Sequence, residues 1–361
     1  MRILFCLGGL NKGGAERVAT NLCNYFIDNN NEVEILITRL DEIAYEVNPK
    51  ITIKSLQETK KQNIIKHNIN IIKNMKKEVL SYKPDLIISF LKEPTGRILL
   101  LKKTCKKIRK IPLIISVRAD PNIVYKSFFN KMIVKLLYNK ADGYVFQTEQ
   151  ARQFFNKKIQ EKSIIIPNPI DEKFLIEQSK KRNNNIVTLG RLTQQKNHRL
   201  LIDAFELLYK DYPKYKLIIY GEGPLENTLK EYIEEKKLSQ NIKLAGVIDD
   251  VIKNTYESKM FVLSSDYEGM PNSLMEAMSM GIPCISTKCD GGGAEFLIEN
   301  EKNGILVEKN NIEQMYNAMK KIIEDKELSK KISQEAHNRM KKISPKIINK
   351  QWIDYMKKIR G

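Results

Sequence analysis

Short apolar runs, separated by stretches with helical apolar spacing, recur along this chain, and the cycle runs through twice. Residues 2–7 form the first run. Glycines follow at 8, 9, 13 and 14, and 15–27 then carries apolar residues at helical spacing. Runs at 33–38, 85–89, 113–117, 143–146 and 163–166 read as further strands. Pro167-Asn168-Pro169 punctuates the chain. After an Asn-rich stretch at 182–185 the pattern restarts, with strands at 186–189, 216–220, 242–245, 260–263 and 283–286. Residues 311–360 read as helical throughout. Short apolar strands alternating with helices require a parallel sheet covered on both faces. The expected fold is therefore α/β, with two doubly wound domains. The boundary falls near 168–184, giving domains of 1–170 and 171–344. Open sheets of this kind bind ligands outside the carboxyl ends of their strands, so the expected site is a cleft where two such domains face each other.

The 361 residues are 42% hydrophobic and 29% charged, which excludes a disordered chain and permits a large core. Five cysteines are widely spread and form no CxxC pair, so neither a zinc site nor a disulfide framework is expected. No apolar run approaches the roughly 18–20 residues that span a bilayer. The opening 2–7 reads as a buried strand, since no small-residue cleavage site follows it. A reducing cytoplasm fits this pattern.

The net charge of +19 is unevenly distributed. Residues 1–170 carry 30 Lys/Arg and 15 Asp/Glu, a balance of +15; residues 171–361 carry 32 and 28, a balance of +4. The stretch 60–110 alone has 15 bases and 3 acids. A basic face implies an anionic partner: nucleic acid, anionic lipid or a phosphorylated substrate. A codon bias toward Lys, Ile and Asn accounts for the same excess, and both readings stand at this stage.

Five motifs sit at strand ends. Gly8-Gly9 and Lys12-Gly13-Gly14-Ala15-Glu16-Arg17 join the first strand to the first helix, either as a phosphate cradle or as a plain turn. The spacing is not G-x-G-x-x-G, so a nicotinamide cofactor is not indicated. Gly190-Arg191-Leu192 and Lys196-Asn197 place two cations on the loop after the second domain's first strand. Arg191 can clamp phosphate oxygens in a bidentate fork, and Lys196 adds a point charge. Together they suit a diphosphate leaving group. Gly221-Glu222-Gly223-Pro224 is a weaker glycine turn.

The fourth motif is the strongest. Residues 265–277 carry Glu268 and Glu276 eight positions apart, with Pro271 opening a helix. Glu268 belongs to the loop and Glu276 to the helix, so they lie at different depths. Backbone N–H groups near Asn272, Ser273 and Leu274 suit a phosphate. Glu268 suits sugar hydroxyls, and Glu276 suits ribose hydroxyls. Gly291-Gly292-Gly293-Ala294-Glu295 is a further glycine turn, equally well explained as a helix cap.

Taken together, these motifs resemble the retaining GT-B glycosyltransferases of family 4, over essentially the whole chain. The E-x7-E element, Glu268 to Glu276, is that group's signature, and Arg191 and Lys196 match its diphosphate clamp. The Gly-Gly-Ala-Glu-Arg loop is similar to that of bacterial members acting on lipid-linked glycans. The resemblance implies a UDP-sugar co-substrate, retention at the anomeric carbon, and no metal or other cofactor. It implies catalytic roles for Arg191, Lys196 and Glu268. The donor site would comprise these three with Gly14, Asn272, Ser273, Leu274 and Glu276. The acceptor site would comprise Gly13, Glu16, Arg17, Arg118 and Asp120. A helix at 345–361, around Trp352, would complete the first domain.

One departure concerns histidine. Many relatives carry one after a mid-chain strand of the first domain, where this chain reads Ser116-Val117-Arg118-Ala119-Asp120-Pro121. Of the three histidines, His67 reads as solvated, His198 as a local cap or packing residue, and His337 as a surface residue. Arg118 suits an acceptor phosphate or the donor; an Arg118–Asp120 loop pair is the alternative. No catalytic base is assigned.

Residues 127–138 place Phe128, Phe129, Met132, Ile133, Leu136 and Leu137 at helical spacing among Lys126, Lys131, Lys135 and Lys140. Such a helix either packs on the sheet or lies in a membrane interface. The expected setting is peripheral, on the inner leaflet of the cell membrane. There the first domain would meet anionic lipid and a polyprenyl-diphosphate-linked glycan acceptor. A sugar-nucleotide epimerase or hydrolase of the same fold is the alternative. A nucleic-acid partner is not expected, because no binding module or interleaved aromatic platform is present.

Overall fold

The computed structural model describes residues 1–11, 13–39, 43–56 and 64–361. Lys12 of the first glycine motif, and Lys60 and Lys61 of the basic stretch, lie outside the described residues. The chain divides into two compact units: residues 1–168 with 348–361, and residues 169–347.

The first unit is built on a seven-stranded parallel sheet: β1 (Arg2–Leu7), β2 (Glu32–Ile37), β3 (Thr52–Ser55), β4 (Leu86–Phe90), β5 (Leu113–Ser116), β6 (Gly143–Phe146) and β7 (Ser163–Ile165). The strands lie in the order β3-β2-β1-β4-β5-β6-β7. Phe5 of β1 pairs with Ile35 on one side and Ile88 on the other. Residues 3–7 are fully buried, because helices cover both faces. That is why β1 is a continuous apolar run rather than an alternating one.

The second unit repeats the plan with six parallel strands: β8 (Asn185–Leu189), β9 (Lys216–Tyr220), β10 (Ile242–Leu244), β11 (Met260–Leu263), β12 (Cys284–Thr287) and β13 (Ile305–Val307). Their order is β10-β9-β8-β11-β12-β13. The core cluster of this unit joins sheet residues such as Ile186, Ile219 and Val262 to Leu201, Phe205 and Met319 on its helices.

Two strands add to those expected from the sequence, and both are sheet edges. β3 is exposed or half-buried along its length, so it needs no apolar run. β13 has only three residues, too few to display a period. The stretch after residue 311 resolves into three helices, Ile312–Glu324, Lys326–Lys341 and Pro345–Arg360. Asp325 makes the first break, its side chain accepting the Leu328 N–H at 2.9 Å as an N-cap.

Residues 348–361 of the last helix belong to the first unit. Trp352 is wholly buried there and stacks on Phe90, with ring centroids 6.2 Å apart. The Tyr355 hydroxyl accepts the Tyr144 N–H at 2.8 Å and donates to the Lys162 carbonyl at 2.5 Å. One side chain of this helix thus joins β6 to the residue that precedes β7.

The Phe128–Leu137 helix is packed on one side only. Ile133, Val134 and Leu137 lean on the core cluster, but no residue of the helix is buried. Among the described residues, no helix is long and apolar enough to cross a membrane.

Candidate active site

In the second sheet, strand order reverses between β8 and β11, which are neighbours. Loops that diverge at such a switch point open a crevice where α/β folds bind ligands. The loop after β8 carries Arg191 and Lys196; the loop after β11 carries Glu268. Lys196 Nζ donates to Glu268 Oε1 at 2.5 Å, and both side chains are mostly buried. Ser265 Oγ donates to the same oxygen at 2.8 Å. Two residues 72 positions apart are brought together because their strands are adjacent.

The surrounding loops are bound to each other by backbone and side-chain hydrogen bonds. Asp266 N–H donates to the Gln195 carbonyl at 2.9 Å, and Gln195 Nε2 donates to the Tyr267 carbonyl at 2.8 Å. Ser264 Oγ donates to the Lys196 carbonyl at 2.8 Å. Asn197 Nδ2 donates to Asp266 Oδ1 at 2.8 Å and to Asn310 Oδ1 at 2.9 Å. Glu268 N–H donates to the Asp290 carbonyl at 2.8 Å, which ties in the loop after β12. Arg191 differs from Lys196: its side chain is exposed and, among the described residues, has no ionic or hydrogen-bonding partner. Its backbone is held from below. Leu192 N–H donates to the Glu222 carbonyl at 2.8 Å, and Leu225 N–H to the Leu192 carbonyl at 3.0 Å. The Gly221–Pro224 turn is thus the support of the Arg191 loop.

The helix Asn272–Ser279 follows this loop. Pro271 is its N-cap residue rather than its first helical residue, and no side chain caps it. Its first turn therefore carries backbone N–H groups at Asn272, Ser273 and Leu274 and the positive end of the helix dipole. Glu276 lies on the second turn, buried. The Gly291–Gly293 turn packs against this region. A Cβ added at Gly293 would stand 2.1 Å from the Gly269 carbonyl oxygen, so only glycine allows the approach.

In the first unit, strand order reverses between β1 and β4. Gly13 is the N-cap of the helix Gly14–Asp28. It donates its N–H to the Tyr45 hydroxyl at 2.9 Å and receives the hydroxyl proton on its carbonyl at 2.8 Å. A Cβ added at Gly13 would stand 2.1 Å from Glu16 Oε2. A carboxylate thus already occupies the positive end of this helix, and the phosphate-cradle reading of this turn gains nothing from the geometry. Arg17 follows one residue on, half-buried.

Arg118 and Asp120 do not form the loop pair considered above. Asp120 accepts from Asn122 N–H at 2.9 Å and from Asn122 Nδ2 at 3.1 Å, capping the short helix Pro121–Val124. Arg118 turns inward. Its Nε donates to Ser116 Oγ at 2.7 Å and Nη1 to Asn168 Oδ1 at 3.0 Å. The guanidinium lies over Phe90 at 5.0 Å and Trp352 at 5.5 Å. Burial without a carboxylate partner pushes its pKa down to about 9. Nη2 has no partner among the described residues. Gln147 Nε2 also donates to Asn168 Oδ1, at 2.6 Å. Sequence reasoning missed Ser116, Gln147 and Asn168; the available signal was a polar residue closing each of three apolar strand runs.

The histidines take structural places. His337 is buried, not a surface residue, and its Nδ1 bonds the Ser279 carbonyl at the end of the Asn272–Ser279 helix. His67 is half-buried. His198 is buried, with Nε2 3.4 Å from the Arg191 carbonyl. Burial lowers its pKa to about 4, against a smaller opposing effect of that hydrogen bond. The unfolded chain, near 6.5, then binds more protons than the folded one between these values. Stability is full above 6.5 and falls as pH drops toward 4. The expected loss from this group is about 2 kcal/mol between pH 7 and pH 5. Urea midpoints at the two pH values check it, and His198→Gln should flatten the slope.

Among the described residues, no three His, Cys, Asp or Glu side chains gather as a metal-ligand set. The arrangement is cationic and hydrogen-bonding, with a carboxylate fixed beside one of two lysine or arginine charges.

Residues 12–174 match the family model described as Glycosyltransferase Family 4, and residues 169–339 match Glycosyl transferases group 1. Between them the two models span nearly the whole chain, and this chain belongs to the family 4 glycosyltransferases of GT-B fold. An uncharacterized glycosyltransferase of Methanocaldococcus jannaschii is 33% identical over 255 residues, 65% of this chain and 62% of that protein. A Campylobacter jejuni protein is 29% identical over 96% of this chain and 97% of its own length. It is an N-acetylgalactosamine-N,N'-diacetylbacillosaminyl-diphospho-undecaprenol 4-alpha-N-acetylgalactosaminyltransferase. Among solved structures, Anabaena HepE in complex with UDP and glucose superposes with a TM-score of 0.83 at 19% identity, over 99% of each chain.

Proposed function

We propose that this enzyme transfers a sugar from a UDP-sugar to a polyprenyl-diphosphate-linked glycan, with retention at the anomeric carbon and no essential metal. Its setting would be surface polysaccharide or glycoconjugate assembly, with the first unit working against an anionic membrane face. The observation that carries this reading is the Lys196–Glu268 pair at the switch point, with Arg191, which has no partner among the described residues, on the same loop as Lys196. The bond from the anomeric carbon to the diphosphate breaks, and its electron pair leaves on the phosphate oxygen. Arg191 and Lys196 neutralise that charge, assisted by the N–H groups of Asn272, Ser273 and Leu274. Glu268, held by Lys196 and Ser265, accepts hydrogen bonds from the donor sugar. Glu276 holds the ribose, and Gly14 is the remaining donor-binding residue of this reading. Gly13, Glu16 and Arg17 would contact the acceptor; Arg118, turned inward, would offer it only the Nη2 that has no partner among the described residues, and Asp120 would act by holding its own turn. The acceptor hydroxyl oxygen bonds to the anomeric carbon on the face the diphosphate leaves, and, with no side-chain base assigned, the departing phosphate oxygen takes its proton.

The Campylobacter relative's diphospho-undecaprenol-linked acceptor supports the lipid-linked class, and the UDP and glucose bound to HepE support the donor class. UDP release is expected to rise at least tenfold when a polyprenyl-diphosphate-linked sugar is added, and to survive EDTA. Release indifferent to acceptor would favour the hydrolase alternative; loss of activity in EDTA would overturn the metal-free mechanism.

A further inference from the structure

The Phe128–Leu137 helix turns a large apolar surface outward. Phe128 is 84% exposed, Phe129 63%, Leu136 57% and Met132 39%. Single exposed apolar residues are ordinary. Four on one short helix, at positions i, i+1, i+4 and i+8, form a stripe along one face. The opposite side is anchored, since Ile133, Val134 and Leu137 lean on the core cluster of the first unit. The helix start is fixed as well, because Ser127 Oγ accepts the Asn130 N–H at 3.2 Å. The stripe is therefore presented by an ordered element.

The charge around it has one sign. Lys126, Lys131, Lys135 and Lys140 are all exposed, and residues 121–141 contain no Asp or Glu. Apolar residues bordered by lysines form the pattern of a helix lying in a bilayer interface. The pattern argues against a second copy of this chain as occupant. A symmetric contact through this face would set the lysines of one copy against those of the other, with no acidic residue in the segment to answer them.

We propose that the Phe128–Leu137 helix inserts into the surface of an anionic bilayer. Phe128, Phe129, Met132 and Leu136 enter the acyl boundary, and the four lysines meet the headgroups. This rests on the reading that the acceptor is lipid-linked, and adds which element holds the enzyme at the membrane. The partner class is an anionic phospholipid surface rather than one particular lipid.

The test is flotation of the full chain with vesicles of equal parts phosphatidylcholine and phosphatidylglycerol, and with phosphatidylcholine alone. The intact chain is expected to float with the anionic vesicles and to be at least tenfold less bound to the neutral ones. The triple variant Phe128→Ser, Phe129→Ser, Leu136→Ser should lose at least tenfold of the anionic binding while keeping its thermal midpoint and its activity on a short-chain, water-soluble acceptor analogue. Phe129→Trp supplies a second readout that needs no loss of binding. Its added emission should be quenched by brominated lipid, while the buried Trp352 of the unsubstituted chain is not. If the intact chain floats and the triple variant floats equally well, the helix is not the inserting element, and the lipid-linked reading stands without it. If the intact chain does not float but acts on a lipid-linked acceptor in detergent, the inference fails alone. If it neither floats nor acts on that acceptor, both readings fail. A dimer in solution that the triple variant converts to monomer would assign the stripe to a second copy and overturn the proposal.

Discussion

Alanine in place of Lys196 is expected to lower kcat/KM by more than about tenfold, and alanine at Arg191 to do the same. A tenfold loss corresponds to about 1.4 kcal/mol of transition-state stabilisation, a modest demand on one cation facing a departing diphosphate. The two variants should differ in their side effects. Arg191 is exposed and, among the described residues, its side chain has no ionic or hydrogen-bonding partner to lose. Lys196 is the ionic partner of Glu268, 2.5 Å away, so its removal leaves a mostly buried carboxylate with Ser265 as its remaining side-chain partner among the described residues. Lys196→Ala should therefore also lower stability by on the order of 1–3 kcal/mol, whereas Arg191→Ala should not. Glu268→Gln separates the two roles of the pair, keeping a hydrogen-bonding side chain while releasing the lysine. Steady-state UDP release with saturating acceptor, alongside urea unfolding, measures both effects. Unchanged turnover in both cation variants would remove the clamp assignment.

Trp352→Ala is expected to cost about 3–5 kcal/mol, the range for deleting a large buried aromatic side chain. Trp352 has no exposed surface and packs on Phe90, which together with it covers the Arg118 guanidinium. The substitution opens a cavity and uncovers one face of a buried cation that has no carboxylate partner. Because Trp352 is the sole tryptophan, its fluorescence reports directly on the last helix. Emission should be that of a buried indole in the native chain and shift red with the main urea transition. An equilibrium loss below about 1 kcal/mol, or native emission at the exposed wavelength, would show that residues 348–361 do not pack on the first unit as described.

The two-sheet plan was legible because buried parallel strands have no polar alternation to obscure them: β1, β6, β9 and β11 stand out as apolar runs ending in glycine, a polar residue or a turn. Two of the four edge strands were not, because β3 is half solvated and β13 is three residues long. Cations and carboxylates could be found on loops after particular strands, but not their pairing. Lys196 meets Glu268 only because β8 and β11 are neighbours in space, which depends on strand order, and spacing along the chain does not encode strand order. His337 illustrates the same limit: it lies on a strongly polar helix, yet is buried by bonding a carbonyl 58 positions away. The helix at 128–137 was ambiguous for a different reason. A helix half-packed on a sheet and one presented outward share the 3.6-residue period, and only the exposure of Phe128 and Phe129 separates them. Asp120 follows a strand, and its Oδ1 caps the next turn, a local use that the sequence does not separate from a role in the site.

The most direct measurement is the product itself. The purified chain is incubated with an α-linked UDP-sugar and a polyprenyl-diphosphate-linked sugar, and the lipid fraction is read by mass spectrometry and by the proton coupling of the new anomeric centre. The account predicts a lipid-linked product heavier by one sugar residue, with an α linkage. Free sugar and UDP without a lipid-linked product, or a product with a β linkage, would contradict it.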